Sequence, residues 1–264
     1  MTELRFFGDR PPGIEGDSVP GRLIVIEATD AAGRSTHVAL LKEWMEDEGY
    51  AVMDTGLRRS DLAGPGIERA KQGHTLDPTT LNLFYATDFW DRLERQIIPA
   101  LRAGMVVLAD RYVFSLIARA VVRGVSLEWI EGVYGFALVP DRVIYLDIDL
   151  EHLLPRVLAS SGFDYWESGQ DFLRGSDVFE NFVIYQRLLL EEFRQLAARH
   201  DFAVVDGRGT VTEVFRALRD EVRSVVEGMT LDQPVMPLEA DDEVDDDGEV
   251  NPPGIEAPSA SAPT

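Results

Sequence analysis

Cysteine is absent from all 264 residues, which removes disulfides, thiolate nucleophiles and thiolate-ligated metals from the chemistry open to this chain. No apolar run reaches the length of about twenty residues needed to cross a bilayer, and the first residues show no charged-then-apolar leader. These absences set the expectation of a cytoplasmic protein with no membrane association. His37, His74, His152 and His200 have no metal-ligand spacing, and no Ser/His/Asp arrangement can be assembled from their order, so the sequence supports neither zinc chemistry nor triad hydrolysis. Positive charge is scarce too. A formal charge of −22 argues against general binding to nucleic-acid backbone, although a few local arginines suffice for a small nucleotide.

Much of the acidity sits in one place. Residues 228–264 hold ten Asp and Glu and no Lys or Arg, leaving −12 for the remainder. The segment is rich in Pro, Ser and Ala and has no periodic apolar face, so it reads as a self-repelling, disordered tail. Residues 1–20, with Pro11, Pro12, Gly13 and Gly16, read as a loose arm. The expected organisation is therefore one domain over 21–227 between two tails.

Inside those limits short apolar runs alternate with helical patterns, which predicts an α/β fold: a five-stranded parallel sheet with helices on both faces. The expected strands are 23–27, 51–54, 105–109, 143–148 and 203–205. Helices are expected over 35–48, 79–103, 127–136, 150–158, 178–198 and 211–226. Gly49 and Gly104 stand where helices should stop. Ligands of such sheets collect beyond the carboxyl ends of the strands, so the informative residues follow each run.

The first run leads into Ala28-Thr29-Asp30-Ala31-Ala32-Gly33-Arg34-Ser35-Thr36, the layout of a phosphate-binding loop that opens a helix. Against G-x-x-x-x-G-K-[ST] it has Ala28 for the first glycine and Arg34 for the lysine, while Gly33 and Ser35 match. Loop amides and the positive end of the helix would still face a phosphate, and Ser35 could reach a magnesium ion. Arg34 keeps the charge on a planar, longer side chain. Asp30 reads equally well as a group that aligns phosphate or metal and as a turn-forming aspartate. The third run ends in Asp110-Arg111-Tyr112, with Ser115 one turn on. Asp110 is placed to hold the shell of a magnesium ion or to orient an acceptor, and Arg111 to clamp a second phosphate.

Thr29-Asp30-x-Ala32-Gly33-x-Ser35-Thr36, Ile98-Pro99-Ala100-Leu101-x-Ala103-Gly104, Asp110-Arg111-Tyr112-x-x-Ser115 and Pro140-Asp141-x-x-Ile144-Tyr145-Leu146-Asp147 together resemble the thymidylate kinase family over about residues 22–226. The resemblance implies a P-loop nucleoside monophosphate kinase fold, ATP as donor, magnesium, dTMP as acceptor and a homodimer. It further implies that Asp30 lies near the acceptor, that Arg111 and one of Arg58 and Arg59, with Arg58 favoured, hold its phosphate, and that Phe84 stacks on the base. Asp88 stands where the family usually has a base-reading arginine, Leu116 where it often has a polar base contact and Arg119 where an aromatic ring often lies under the sugar. Residues 160–176 would form a lid. With Ala31 at the loop position that can carry a catalytic arginine, the lid should supply it, from Arg174 or from Arg156 just before it.

Two other readings stay open: a P-loop phosphotransferase with a different nucleotide or polyphosphate as acceptor, favoured by Asp88, and a nucleotide-binding regulatory protein with weak catalysis, favoured by Ala28 and Arg34.

Overall fold

The computed structural model describes residues 1–16, 18–73, 76–160, 162–173 and 177–229. Two short strands, β1 (Thr2–Glu3) and β2 (Ser18–Val19), precede the central strand β3 (Arg22–Glu27). Then come α1 (Arg34–Asp47), β4 (Val52–Gly56), α2 (Gly64–Gly73) and α3 (Pro78–Arg92). A π-helical turn, Leu93–Ile97, joins α3 to α4 (Ile98–Arg102), followed by β5 (Val106–Asp110), α5 (Val113–Val122) and α6 (Leu127–Val133). The chain continues through β6 (Arg142–Asp147), α7 (Leu150–Ala159), α8 (Val178–Arg199), β7 (Ala203–Asp206) and α9 (Val211–Val226).

The sheet has the order β4-β5-β3-β6-β7, every pair parallel, as the alternating pattern predicts. Strand residues alternate between two cores. Leu23 and Val25 of β3 face a core built with α3, α4, α5, α6 and α8, whereas Ile24 and Ile26 face one built with α1, α7 and α9. Because β3, β5 and β6 are covered on both faces, their runs are almost wholly apolar. The chain crosses from β3 to β4 on one side and later to β6 on the other, so β3 lies at the reversal of strand order where a crevice opens.

Three elements depart from the expected pattern. The long helix expected over 79–103 is broken by the π turn, next to Pro99, which has no N–H to donate to a preceding carbonyl. Helix α2 is an element outside the expected set, and it carries three glycines. Two of them are there for close packing: a Cβ at Gly64 would lie 2.8 Å from the Arg58 carbonyl oxygen and one at Gly66 3.3 Å from the Phe84 ring. Helix α5 is a further element outside the expected set.

The N-terminal segment is packed where composition suggests a loose arm. β1 pairs antiparallel with β2, the Val139 amide donates to the Arg5 carbonyl at 2.8 Å, and Phe7 meets Phe114 edge-on at 5.6 Å. Burial of Leu4 and Val19 in the core supplies the apolar contact that offsets the ordering of a Pro/Gly-rich stretch. Among the described residues no helix is long and apolar enough to cross a membrane. The acidic segment from residue 230 onward, and with it the expectation of a disordered tail, lies outside the described residues.

Candidate active site

Strand β3 ends in the loop 28–33, which bends tightly because Ala31 and Gly33 both take left-handed backbone angles (φ 60° and 92°). Glycine does so freely; at Ala31 the conformation carries strain of the kind concentrated at functional loops. No side chain caps the first turn of α1, so its amides are left for an anion. Ala28 and Ala32 are buried beneath the loop, and the Thr29 hydroxyl donates to the Gln186 side-chain oxygen on α8. Thr36 stays exposed on the outer side of the first turn.

Arg34, the first residue of α1, turns back under the loop. Its Nη1 donates to the Ala28 carbonyl at 3.0 Å, and its Nε pairs with Asp110 at the tip of β5. The Ser35 hydroxyl donates to the other Asp110 oxygen at 2.9 Å. Burial alone would raise the Asp110 pKa, but the charge and hydrogen bond of Arg34, with Ser35 and Arg111, together outweigh it and the carboxyl is held below its ordinary value. A hydroxyl beside an ionised carboxylate is a hard-oxygen donor pair of the kind magnesium accepts.

Behind this cluster stands a second. Asp30 pairs with Arg111 and, at 2.5 Å, with Arg119 of α5. Burial opposes its ionisation, yet Arg111 and Arg119, with Arg34 beyond, hold the carboxyl well below the usual range. Arg111 has a left-handed backbone (φ 75°), and its amide donates to the Ile26 carbonyl at 3.1 Å. Buried Arg111 Nη1 and Arg119 Nε have no hydrogen-bond partner, an arrangement that leaves donors available to a ligand. Burial, Arg119 and Arg34 push the Arg111 guanidinium down to about 10, still charged at neutral pH.

Both clusters line one cavity of about 400 Å³. It extends from the loop to a floor of Leu81, Tyr85, Leu116 and Ala120, with Asp30, Arg34, Arg58, Asp110 and Arg111 also lining it. Arg59 lines it as well. The two adjacent arginines turn outward, Arg58 to Glu68 and Arg59 to Asp54, each at 2.8 Å.

Phe84, Asp88 and Ser115, all singled out as candidates for binding the acceptor, do not line the cavity. Phe84 is off the cavity; it is 39% exposed and packs beside Gly66 of α2, because on α3 residues 81 and 85 share the cavity face and 84 is rotated away. Tyr85, the next residue, lines the cavity. Asp88 is fully buried and reads no base: it accepts the Arg58 and Ser60 amides, both at 3.0 Å, and pairs with buried Arg92 at 3.1 Å. Ser115 gives its hydroxyl to Glu27 at 2.5 Å. Tyr85→Ala is therefore expected to raise the acceptor KM by about tenfold or more, the effect of removing an aromatic contact, while Phe84→Ala leaves that KM within about twofold; steady-state kinetics of the two variants checks this.

The expected lid segment contributes Tyr165, Trp166, Glu167 and Asp171 to the cavity. It is tied down by Arg123, which binds both Asp171 oxygens (2.7 and 3.1 Å) and the Trp166 carbonyl (3.1 Å). Burial, and then Asp30, push the Glu167 carboxyl up to about 7. The described lid residues, 162–173, include no arginine, and Arg174 lies outside the described residues. Arg156 is fixed to backbone, donating to the carbonyls of Ala32 (3.1 Å) and Gly207 (2.9 Å).

Glu27, at the end of β3, is a buried acid that braces the start of α5 next to the site. Its side chain accepts the Tyr112 and Ser115 amides at 2.8 and 3.1 Å, so a buried acid closing an apolar strand is the signal that could have found it. Burial raises its pKa. Arg123 carried a similar signal, a cation ending the apolar run of α5. Lys71 carried none, because α2 itself was unread.

The family model for thymidylate kinase matches residues 26–205. The "Probable thymidylate kinase 2" of Saccharolobus solfataricus is 35% identical over 196 residues, which cover 74% of this chain and 92% of that protein. The "Thymidylate kinase" of Shouchella clausii is 28% identical over 221 residues, covering 78% and 96%. A "Probable thymidylate kinase" of Thermococcus kodakarensis is 36% identical over 144 residues, 51% of this chain and 70% of its own length.

Proposed function

The chain belongs to the thymidylate kinase family, and on that premise we propose that it transfers the terminal phosphoryl group of ATP to dTMP, giving dTDP and ADP. The observation that carries this reading is the meeting of two differently built charged clusters at one cavity, each of a chemistry suited to phosphate: the capless loop with Arg34, Ser35 and Asp110, and the Asp30–Arg111–Arg119 cluster.

Loop amides of 28–36 and Arg34 hold the donor phosphates. Arg111, with Arg58, fixes the acceptor phosphate, and Asp30 keeps Arg111 aimed. A phosphoryl transfer needs little covalent chemistry from the protein, so positioning and charge neutralisation account for most of the rate. Ser35 and Asp110 would hold magnesium, which would supply charge neutralisation at the donor phosphates. That donor pair suffices, since magnesium keeps water and phosphate ligands and needs no cluster of protein acids; among the described residues no group of three metal-ligating side chains occurs. The lid, held by Arg123, keeps water from the transferring group. The lid arginine remains assigned to Arg174, with Arg156 engaged elsewhere. The reading includes a cytoplasmic homodimer.

The test is a panel of nucleoside monophosphates with ATP and magnesium, read as coupled ADP release. A preference for dTMP of about tenfold or more over the other monophosphates supports the reading. Equal or better turnover of a different acceptor replaces dTMP, and ATP binding without turnover of any monophosphate points to a nucleotide-binding regulator.

A further inference from the structure

Only two of the 25 basic residues are lysines, and one of them, Lys71, is carried into the cavity by α2. Among the described residues it pairs with no carboxylate; its ammonium stands 5.4 Å from the centre of the Trp166 ring. Its charged surroundings come from four directions: Arg119 on α5, Arg58 after β4, Asp164 on the lid and Asp30 in the phosphate loop. Burial and the two guanidiniums push the ammonium down to about 8. A partly desolvated cation beside other cations is unfavourable unless an anion offsets it. Two further unused donors occur on the same walls, Arg111 Nη1 and Arg119 Nε, both buried without a partner. Lys71, Arg111 and Arg119 thus offer donors from three separate parts of the fold to one cavity.

We propose that Lys71 is a further acceptor-binding residue, completing with Arg111 and Arg119 a seat for the phosphoryl oxygens of the acceptor nucleotide on the lid side of the cavity. This rests on reading the cavity as the acceptor site. A phosphoryl group presents several strong acceptor oxygens and is commonly held by more than one cation. A lysine there differs from its arginine neighbours in two ways: it is a compact charge on a flexible stem, and it can lose its proton near neutral pH. Its packing against Trp166 also brings the lid next to the group that would hold the acceptor phosphate.

Calorimetry on the full chain with thymidine and with dTMP separates the phosphate contact from all others. Lys71→Met is expected to weaken dTMP by about tenfold or more, as loss of a charge-assisted hydrogen bond does, while thymidine changes by less than about twofold and thermal unfolding is unaltered. In turnover the loss appears in the dTMP KM more than in kcat, and Lys71→Arg restores most of it. Between pH 7.5 and 9 the acceptor phosphate, whose second pKa is about 6, stays ionised, so wild-type affinity for dTMP should fall as the ammonium loses its proton and Lys71→Arg affinity should not. Unchanged dTMP binding by Lys71→Met overturns the seat, and so does an equal loss of thymidine and dTMP, which marks a structural role. Should the wild type neither bind nor phosphorylate dTMP, the acceptor assignment fails, and inorganic pyrophosphate then tests the seat: weakening by Lys71→Met sustains it, and equal affinity overturns it.

Discussion

Arg111→Ala is expected to lower kcat/KM for the acceptor by about two to three orders of magnitude, the scale set by removing one positioned charge from a water-excluded site. The guanidinium is held at Asp30, its Nη1 is buried and unpartnered, and its backbone is locked in a left-handed angle by the amide bond to Ile26. An alanine leaves the main-chain hydrogen bond in place and removes the guanidinium with its ion pair to Asp30. Asp30 then retains Arg119 alone. Because the amide bond survives, the fold should survive with it. Coupled ADP release, with unfolding midpoints as control, measures the effect; an enzyme that keeps most of its turnover would refute the assigned role of Arg111.

The largest expected effect on stability belongs to Asp88. Its side chain is fully buried, and Arg92, its partner, is 1% exposed. It also satisfies the amides of Arg58 and Ser60, and Arg92 reaches on to the Thr55 hydroxyl at 3.2 Å. Removing one member of a buried ion pair leaves an uncompensated charge, so Asp88→Ala should cost about 3–5 kcal/mol in urea unfolding. Replacing both members with apolar residues, Asp88→Leu with Arg92→Met, should recover much of that loss. If the single substitution shifts stability by less than about 1 kcal/mol, the pair is not what fixes the 57–60 loop. The same substitution should also raise the acceptor KM, since Arg58, which lines the cavity while its guanidinium pairs with Glu68, is positioned by the backbone that Asp88 anchors.

Both residues bear on what could be read without coordinates. The loop at 28–36 and the Asp110-Arg111 step were legible because each follows a buried apolar strand, and in a parallel sheet the residues after neighbouring strands must converge at one edge. That convergence is what places Arg34 and Ser35 against Asp110 and Asp30 against Arg111. Asp88 was misjudged for the opposite reason. On a helix, a residue's surroundings depend on rotation about the axis and on what packs there, and a buried acid looks like a surface acid until its partner is known. Phe84 and Tyr85 differ by that rotation alone.

The sequence by itself determined the five-stranded parallel sheet, the order of its strands and helices along the chain, and the phosphate loop at the end of β3, because burial on both faces and the helix start are local matters of pattern. Only the tertiary structure decided that Tyr85 and not Phe84 meets the cavity, that Asp88 braces a loop from inside, that the N-terminal segment packs on the core, and that Lys71 lines the cavity. Each of these depends on contacts between elements far apart in the chain, and such contacts leave no period or spacing to read.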